Sequence, residues 1–240
     1  MLILAGLGLY DELDITLRLI EESKKCDEIY IEEYTGIWKG NLENLEKILG
    51  KKIIKVERDF LEEKSNYLIE KAKTKNIMIL VQGDPLVLTT HFSLVLDCMK
   101  NNVEYKVIHN SSIVSAVAKT GLHIQKFGRI VSLHKKFDAF SIKKYIEENK
   151  AAGLHTLCIL DLDLSLKEAL EILEKQNCLK SNEKIIVLLN VGSDEEKIFV
   201  GAINELKKLK IEDKPASIVI PSNDLHFLEK EALENLNKVS

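Results

Sequence analysis

The chain is short of the residues that punctuate and cross-link a fold. Three prolines and eleven glycines among 240 residues leave little room for disordered linkers. Four cysteines, Cys26, Cys98, Cys158 and Cys178, lie far apart and include no C-x-x-C pair. That spacing argues against a zinc knuckle or a disulfide framework and points to reduced, structural thiols. The six histidines, His91, His109, His123, His134, His155 and His226, show no metal-ligand spacing with one another or with cysteine, so no metal is expected. There is no Gly-x-Ser-x-Gly elbow, no Walker loop and no cysteine beside a histidine, which leaves nucleophilic catalysis without a candidate. No apolar run approaches membrane-spanning length. The opening MLILAGLG lacks a basic flank and runs into Asp11, Glu12 and Asp14, so it reads as a first strand and not as a signal peptide. A surplus of one charge sign is also missing. The net charge is -4 and the pI about 5.9, which gives no footprint for nucleic acid or an anionic membrane. A cytoplasmic protein is the expectation.

What is present is apolar sequence in short, regular pieces. At 45% hydrophobic residues the chain has enough for a sizeable core. Ile77 to Val81 is an uncharged apolar run, the mark of a strand buried on both faces in a parallel sheet. It stops at Gln82-Gly83-Asp84-Pro85, where Pro85 stiffens the turn by keeping Asp84 out of helical angles. Thr89 or Thr90 is placed to cap a following helix with Phe92, Val95, Leu96 and Met99 on its apolar face. Taken alone, this turn reads as structural, with Asp84 bonding nearby backbone amides.

Strand and helix alternate on both sides of this stretch. Met1 to Ala5 is a strand leading into Gly6-Leu7-Gly8, a Gly-x-Gly without the third glycine of a dinucleotide fingerprint. Asp11 or Asp14 is placed to cap the next helix. Strands are expected at 27–33, 52–56 and 104–108, and helices from Asn41 to Leu49-Gly50 and over 62–73. Tyr34 to Gly40 forms a loop holding the only tryptophan, Trp38, as a lid or as a hydrophobic plug. Ile113 to Thr120 is helical and closed by Gly121, and 121–128 reads as a hinge. The second half repeats the alternation, with strands at 129–133, 155–160, 184–189, 196–200 and 216–220. Its helices start at Ser141 (to about 152), Ser165, Gly201 (to 208) and about Leu225. His155 opens an apolar strand and reads as a satisfied edge residue. The pattern predicts an α/β protein of two domains, 1–120 and 121–240, with mostly parallel or mixed sheets and a ligand crevice between them. Four strand ends, Gly6 to Leu9, Gln82 to Val87, Ser111 to Ile113 and Leu160-Asp161, present small or turn-forming residues. Such a site binds through backbone and shape and suits an enzyme whose cofactor carries the chemistry.

The phrases GLGLYDELDIT (6–16), EEYTG (32–36), GDPLVLTTH (83–91), VIHNSSIVSAVAKTGLHIQKFG (107–128) and GLHTLCILD (153–161) together resemble the tetrapyrrole methylase family, in its diphthine synthase branch. They run in family order over about two thirds of the chain. The resemblance implies S-adenosyl-L-methionine as methyl donor, held in the cleft between two α/β domains, and a homodimer. It implies as substrate the histidine of translation elongation factor 2 that carries a 3-amino-3-carboxypropyl group, whose amine is methylated to diphthine on the way to diphthamide. Carried over by position, the donor contacts are Leu9, Asp84, Val87, Ser112, Ile113 and Leu160, with Val191 and Ala216 in less well matched strands. The family's longer loop is trimmed here to KKFDAFSI (135–142), which bears on substrate docking. No catalytic side chain is implied. Asp84 is expected to hold the donor near its methionine end, and Tyr10, Tyr34 or Trp38 to offer a face to the ammonium product. A tetrapyrrole or ribosomal RNA methylase is the nearer alternative, and a donor-binding protein without turnover the more distant one.

Overall fold

In the computed structural model, residues 1–135, 139–175, 177–209 and 214–236 are described. The chain divides into two compact units, Met1–Ile113 and Val114–Ser240.

The first unit is built on β1 (Leu2–Gly6), α1 (Leu17–Ser23), β2 (Glu28–Glu32), α2 (Leu42–Leu49), β3 (Ile53–Val56), α3 (Arg58–Glu62), α4 (Ser65–Ala72), β4 (Ile77–Val81), α5 (Phe92–Lys100) and β5 (Tyr105–Ile108). The strands form one sheet in the order β3-β2-β4-β1-β5, every neighbouring pair parallel. Parallel strands need crossovers on both faces, so the central strands lose all contact with water. Ile77, Met78, Ile79, Leu80 and Val81 are each fully buried. Burying each such side chain contributes about 1.5–3 kcal/mol, enough to fix the register of the sheet. Alternate residues of β1 and β4 feed two cores, one on each face.

Local chemistry sets the helix ends. The Asn41 side chain accepts from the amide of Asn44 at 3.0 Å and starts α2, and Gly50, at φ +67°, ends it. Several expectations for this unit differ. Thr16 caps α1, accepting from Leu19 N at 3.1 Å, while Asp11 caps only a 3-10 turn over Glu12–Asp14. The helix expected over 62–73 is α4, which starts only at Ser65, and the separate helix α3 ends at Glu62 just before it. His91 occupies the start of α5 without a side-chain cap, since the Thr89 hydroxyl donates to the Pro85 carbonyl and Thr90 bonds Glu62. Of the face expected for α5 only Val95 is buried, alongside Leu94 and Cys98, while Phe92, Leu96 and Met99 are exposed.

α6 (Ile113–Ala116) and a 3-10 turn lead to Gly121, at φ +76° with Ala232 where a Cβ would sit. The second unit then comprises β6 (Val131–Leu133), α7 (Ala139–Ala151), β7 (Thr156–Leu160), α8 (Leu166–Lys175), β8 (Lys184–Leu189), β9 (Lys197–Ala202), α9 (Ile203–Leu206), β10 (Ala216–Ile220) and α10 (Phe227–Asn235). Its sheet runs β6-β7-β10-β8-β9 and is mixed, with β6 and β7 parallel and the remaining pairs antiparallel. Ser141 lies inside α7 and so caps nothing. Ser165 does cap α8 in a reciprocal box, its hydroxyl accepting from Glu168 N and its amide donating to the Glu168 carboxylate. β9 extends two residues beyond the expected strand, which leaves α9 a single turn. Part of the trimmed loop, residues 136–138, lies outside the described residues.

His155 is fully buried between β7 and α10. Its Nδ1 accepts from Ser222 N at 2.9 Å, so Nε2 carries the hydrogen that points to Glu229 at 3.0 Å. Burial pushes its basicity down and keeps it neutral. Burial would raise the Glu229 carboxyl, but the amides of His123 and His226, the His155 ring and the Lys126 ammonium outweigh it and hold it at about 2. This network ties the 121–128 segment, the start of β7 and the last helix together. His155 is therefore a satisfied structural residue. All four cysteines are buried, and burial pushes the Cys26 and Cys98 thiols up to about 11.

Candidate functional site

Because the first sheet is parallel, its carboxyl ends share one edge, the usual ligand edge of open α/β sheets. The neighbours β4, β1 and β5 carry Asp84 and Val87, Leu9, and Ser112 and Ile113 just beyond that edge. The turns there are interlocked. Gly8, at φ +87°, and Gly83, at φ +70°, form an isolated bridge in which Gly83 N donates to Gly8 O at 2.8 Å and Gly8 N to Gly83 O at 3.3 Å. A Cβ at Gly6 would collide with the Gly83 carbonyl oxygen. The Gly-x-Gly thus serves the approach of one turn to its neighbour.

Asp84 is buried and its carboxylate is committed within the unit. Oδ1 accepts from Leu86 N at 3.0 Å, and Oδ2 meets His109 Nδ1 at 2.7 Å and accepts from Asn110 N at 3.3 Å. Its backbone carbonyl accepts from Val87 N at 3.2 Å. Three of the roughly four acceptor positions of a carboxylate are filled. Asn110 is a second organiser: its amide group donates to Gly6 O and Asp14 O, both at 3.0 Å, and its Oδ1 accepts from Ser111 N at 2.7 Å. Leu9 O accepts from the Gln82 side chain at 3.4 Å.

The Tyr34–Gly40 loop packs on the same turns. Lys39 N donates to Tyr10 O at 2.9 Å, and the Trp38 ring joins the core beneath it, lying where a Cβ at Gly40 would sit. Trp38 is a plug in this arrangement. The Tyr34 hydroxyl lies 3.2 Å from His91 Nε2, and His91 Nδ1 lies 3.3 Å from Pro85 O. A carbonyl only accepts, so Nδ1 carries the hydrogen and Nε2 accepts from the phenol. Burial keeps the His91 ring neutral. Burial, then the Glu32 and Glu62 carboxylates, push the Tyr34 phenol up against the opposing pull of Arg58, so it stays protonated and donating. The Arg58 guanidinium stands over the Tyr34 ring at 5.1 Å, on a face that the sequence left available for an ammonium product.

In the second unit β10 runs antiparallel between β7 and β8. Its first residue, Ala216, therefore lies beside Leu160 at the end of β7, and it pairs with Leu189 two residues before Val191. Leu160, Val191 and Ala216 share one sheet edge. Beside them Asn190, at φ +49° and 4% exposed, has a buried Oδ1 with no partner among the described residues. Its main chain is held, N–H to Pro215 O at 3.0 Å and C=O from Ser193 N at 3.1 Å. His134 and Asp161 follow β6 and β7 on the same edge, Nδ1 to Oδ2 at 2.6 Å. Among the described residues no group of three or more His, Cys, Asp or Glu could hold a metal ion, and no helix is long and apolar enough to cross a membrane.

The sequence reading passed over Asn110, His109, Arg58 and Asn190. Asn110 and Asn190 did carry a signal, a short carboxamide placed at a strand's end where an αL or turn backbone needs one.

Residues 1–207 match the family described as Tetrapyrrole (Corrin/Porphyrin) Methylases. The chain is 39% identical to a diphthine synthase of Methanococcus vannielii, with 98% of each covered. It is 34% identical to a diphthine methyl ester synthase of Schizosaccharomyces pombe, over 100% of this chain and 98% of that one. Among solved structures a diphthine synthase superposes with a TM-score of 0.91 at 34% identity, covering 98% of this chain and 96% of the other. The two interlocked turns, the parallel and mixed sheets and these likenesses agree: the chain belongs to the tetrapyrrole methylase family, in its diphthine synthase branch.

Proposed function

We propose that this methyltransferase takes its methyl group from S-adenosyl-L-methionine and places it on the amine of the 3-amino-3-carboxypropyl-histidine of translation elongation factor 2, giving diphthine. The observation that carries the reading is the pair of interlocked turns at the carboxyl ends of β1 and β4, rigid and furnished with backbone groups, in a chain 39% identical to a diphthine synthase. The residues fit such a donor. Leu9, Asp84, Val87, Ser112, Ile113, Leu160, Val191 and Ala216 would hold it. The buried, unpartnered Oδ1 of Asn190 suits a ligand that brings N–H groups. Asp84 takes part by shaping the turn, since its carboxylate is committed to Leu86, His109 and Asn110.

When bound, the donor supplies a methyl carbon already activated on a positively charged sulfur. The chain's residues then need to align amine, carbon and sulfur, and to exclude water. The amine must be neutral to attack, and its proton leaves to solvent, so no strong base is required. This agrees with a site in which His91 is neutral and locked between Pro85 and Tyr34, and Asp84 is spoken for.

The protein works as a homodimer in the cytoplasm, without metal or nucleic acid. The face of α5 opposite the core supports the pairing, because Phe92, Leu96 and Met99 recur at i, i+4 and i+7 and, with Leu88, are 42–49% exposed. The test is transfer of label from the donor to archaeal elongation factor 2 bearing the unmethylated adduct. Label on that histidine supports the reading, and donor binding without transfer overturns it in favour of a binding protein.

A further inference from the structure

Only three of the 34 basic residues are arginines, Arg18, Arg58 and Arg129, so the chain uses a guanidinium sparingly. Arg58 follows β3 at the carboxyl edge of the first sheet, and Tyr34 follows β2 at the same edge. The guanidinium carbon stands 5.1 Å from the centre of the Tyr34 ring. At that distance the cation is attracted to the face of the ring, which restrains where the fork can go. Among the described residues its one ion-pair partner is Glu62, at 3.9 Å from Nε, and both side chains are well exposed, 61% and 39%. A contact that long between exposed groups contributes little. Among the described residues the guanidinium makes no hydrogen bond.

The ring beneath it is not free to move. The Tyr34 hydroxyl donates to His91 Nε2, and His91 Nδ1 donates to the carbonyl of Pro85, the residue after Asp84. Tyr34 N and Thr35 N donate to the buried Glu32 carboxylate at 2.9 and 3.0 Å, which fixes the loop from the other side. A planar cation is thus mounted on a rigid aromatic platform that is wired to the Gly83-Asp84-Pro85 turn. Lysine, as a flexible point charge, could not be held in this way.

We propose that Arg58, mounted on Tyr34, is a carboxylate-recognition residue that binds the carboxylate of an α-amino-acid group beside the donor turn. The inference rests on the methyl-transfer reading, in which two ligands carry that chemistry: the methionine end of the donor and the 3-amino-3-carboxypropyl group of the substrate. A stacked guanidinium suits either, because its fork matches a carboxylate with two parallel hydrogen bonds. Binding the carboxylate would also place the neighbouring amine at a fixed distance from the turn.

The test has two arms. Calorimetric affinity for S-adenosylmethionine is compared with that for its decarboxylated analogue, and KM for the adduct-bearing factor with that for a factor whose adduct carboxylate is converted to the amide. Each is measured on the wild type, Arg58→Gln and Arg58→Lys. In the arm whose carboxylate Arg58 binds, Arg58→Gln weakens binding about 10- to 100-fold, the range of one lost charged hydrogen-bonding pair. Arg58→Lys falls between, and removing the carboxylate costs the wild type but adds nothing in Arg58→Gln. The melting temperature of both variants stays near that of the wild type, since the side chain is exposed. The proposal is overturned if both arms are unchanged in Arg58→Gln, or if carboxylate removal costs wild type and variant equally. If the wild type binds donor but never methylates the factor, the methyl-transfer reading fails on its own, and the donor arm still decides the role of Arg58.

Discussion

Replacing Asp84 separates a scaffold from a ligand contact. In Asp84→Ala the amides of Leu86 and Asn110 lose the carboxylate that they share at 3.0 and 3.3 Å. Hydrogen bonds to a charged acceptor contribute about 1.5–3 kcal/mol each, and buried donors left without partners cost about the same. The His109 contact adds little, because that ring is 69% exposed. Cavity and strain aside, the two together come to about 3–6 kcal/mol. For a chain of this size each kcal/mol lowers the melting temperature by roughly 2–4 °C, so a fall of about 10 °C is expected. Asp84→Asn, which keeps the acceptor for Leu86 but turns an NH2 toward Asn110 and His109, should lose about half as much. Donor affinity should fall in both variants in step with stability, because the turn they loosen is the wall of the donor site proposed above. Differential scanning calorimetry and titration calorimetry on the same preparations measure the two quantities. A variant that keeps its melting temperature while losing donor binding would refute the scaffold argument and make Asp84 a direct ligand.

Two further outcomes follow from the same interactions. Glu229, buried and held at about 2 against an ordinary value of 4.5, favours the folded state above the unfolded pKa. Its contribution, on the order of 3 kcal/mol from the shift, is present above pH ~4.5 and is lost as the pH falls toward about 2. Glu229→Gln should therefore flatten the acid limb of a denaturation curve measured between those values, and an unchanged acid limb would count against the network. On α5, Leu96→Glu should convert a dimer to a monomer in sedimentation equilibrium with little change in melting temperature, since the side chain is 42% exposed. A variant that stays dimeric would move the contact elsewhere.

How far the sequence could be read depended on the range of the interactions. β4, β8 and β10 were legible to the residue because uninterrupted apolar runs are written locally and end abruptly at polar turns. Asn41 and Gly50 were legible because a cap acts within one turn of helix. The buried face of α5 was legible only at Val95, because Phe92, Leu96 and Met99 continue as good a stripe from it as Leu94 and Cys98, and only the neighbouring elements decide which is covered. The turn sequence Gly83-Asp84-Pro85 announced a rigid acid, and local backbone bonding was the plain reading of Asp84. What could not be seen was its partners 25 and 26 residues away, His109 and Asn110, and the Tyr34–His91–Pro85 chain. The donor residues came from resemblance. Their gathering at sheet edges follows from strand order, which no single segment encodes.

The most direct measurement is mass spectrometry of archaeal elongation factor 2 carrying the unmethylated 3-amino-3-carboxypropyl-histidine, after incubation with this protein and labelled S-adenosylmethionine. Methyl groups on the amine of that histidine are the predicted result. A donor that binds with its methyl group never reaching the factor would contradict it.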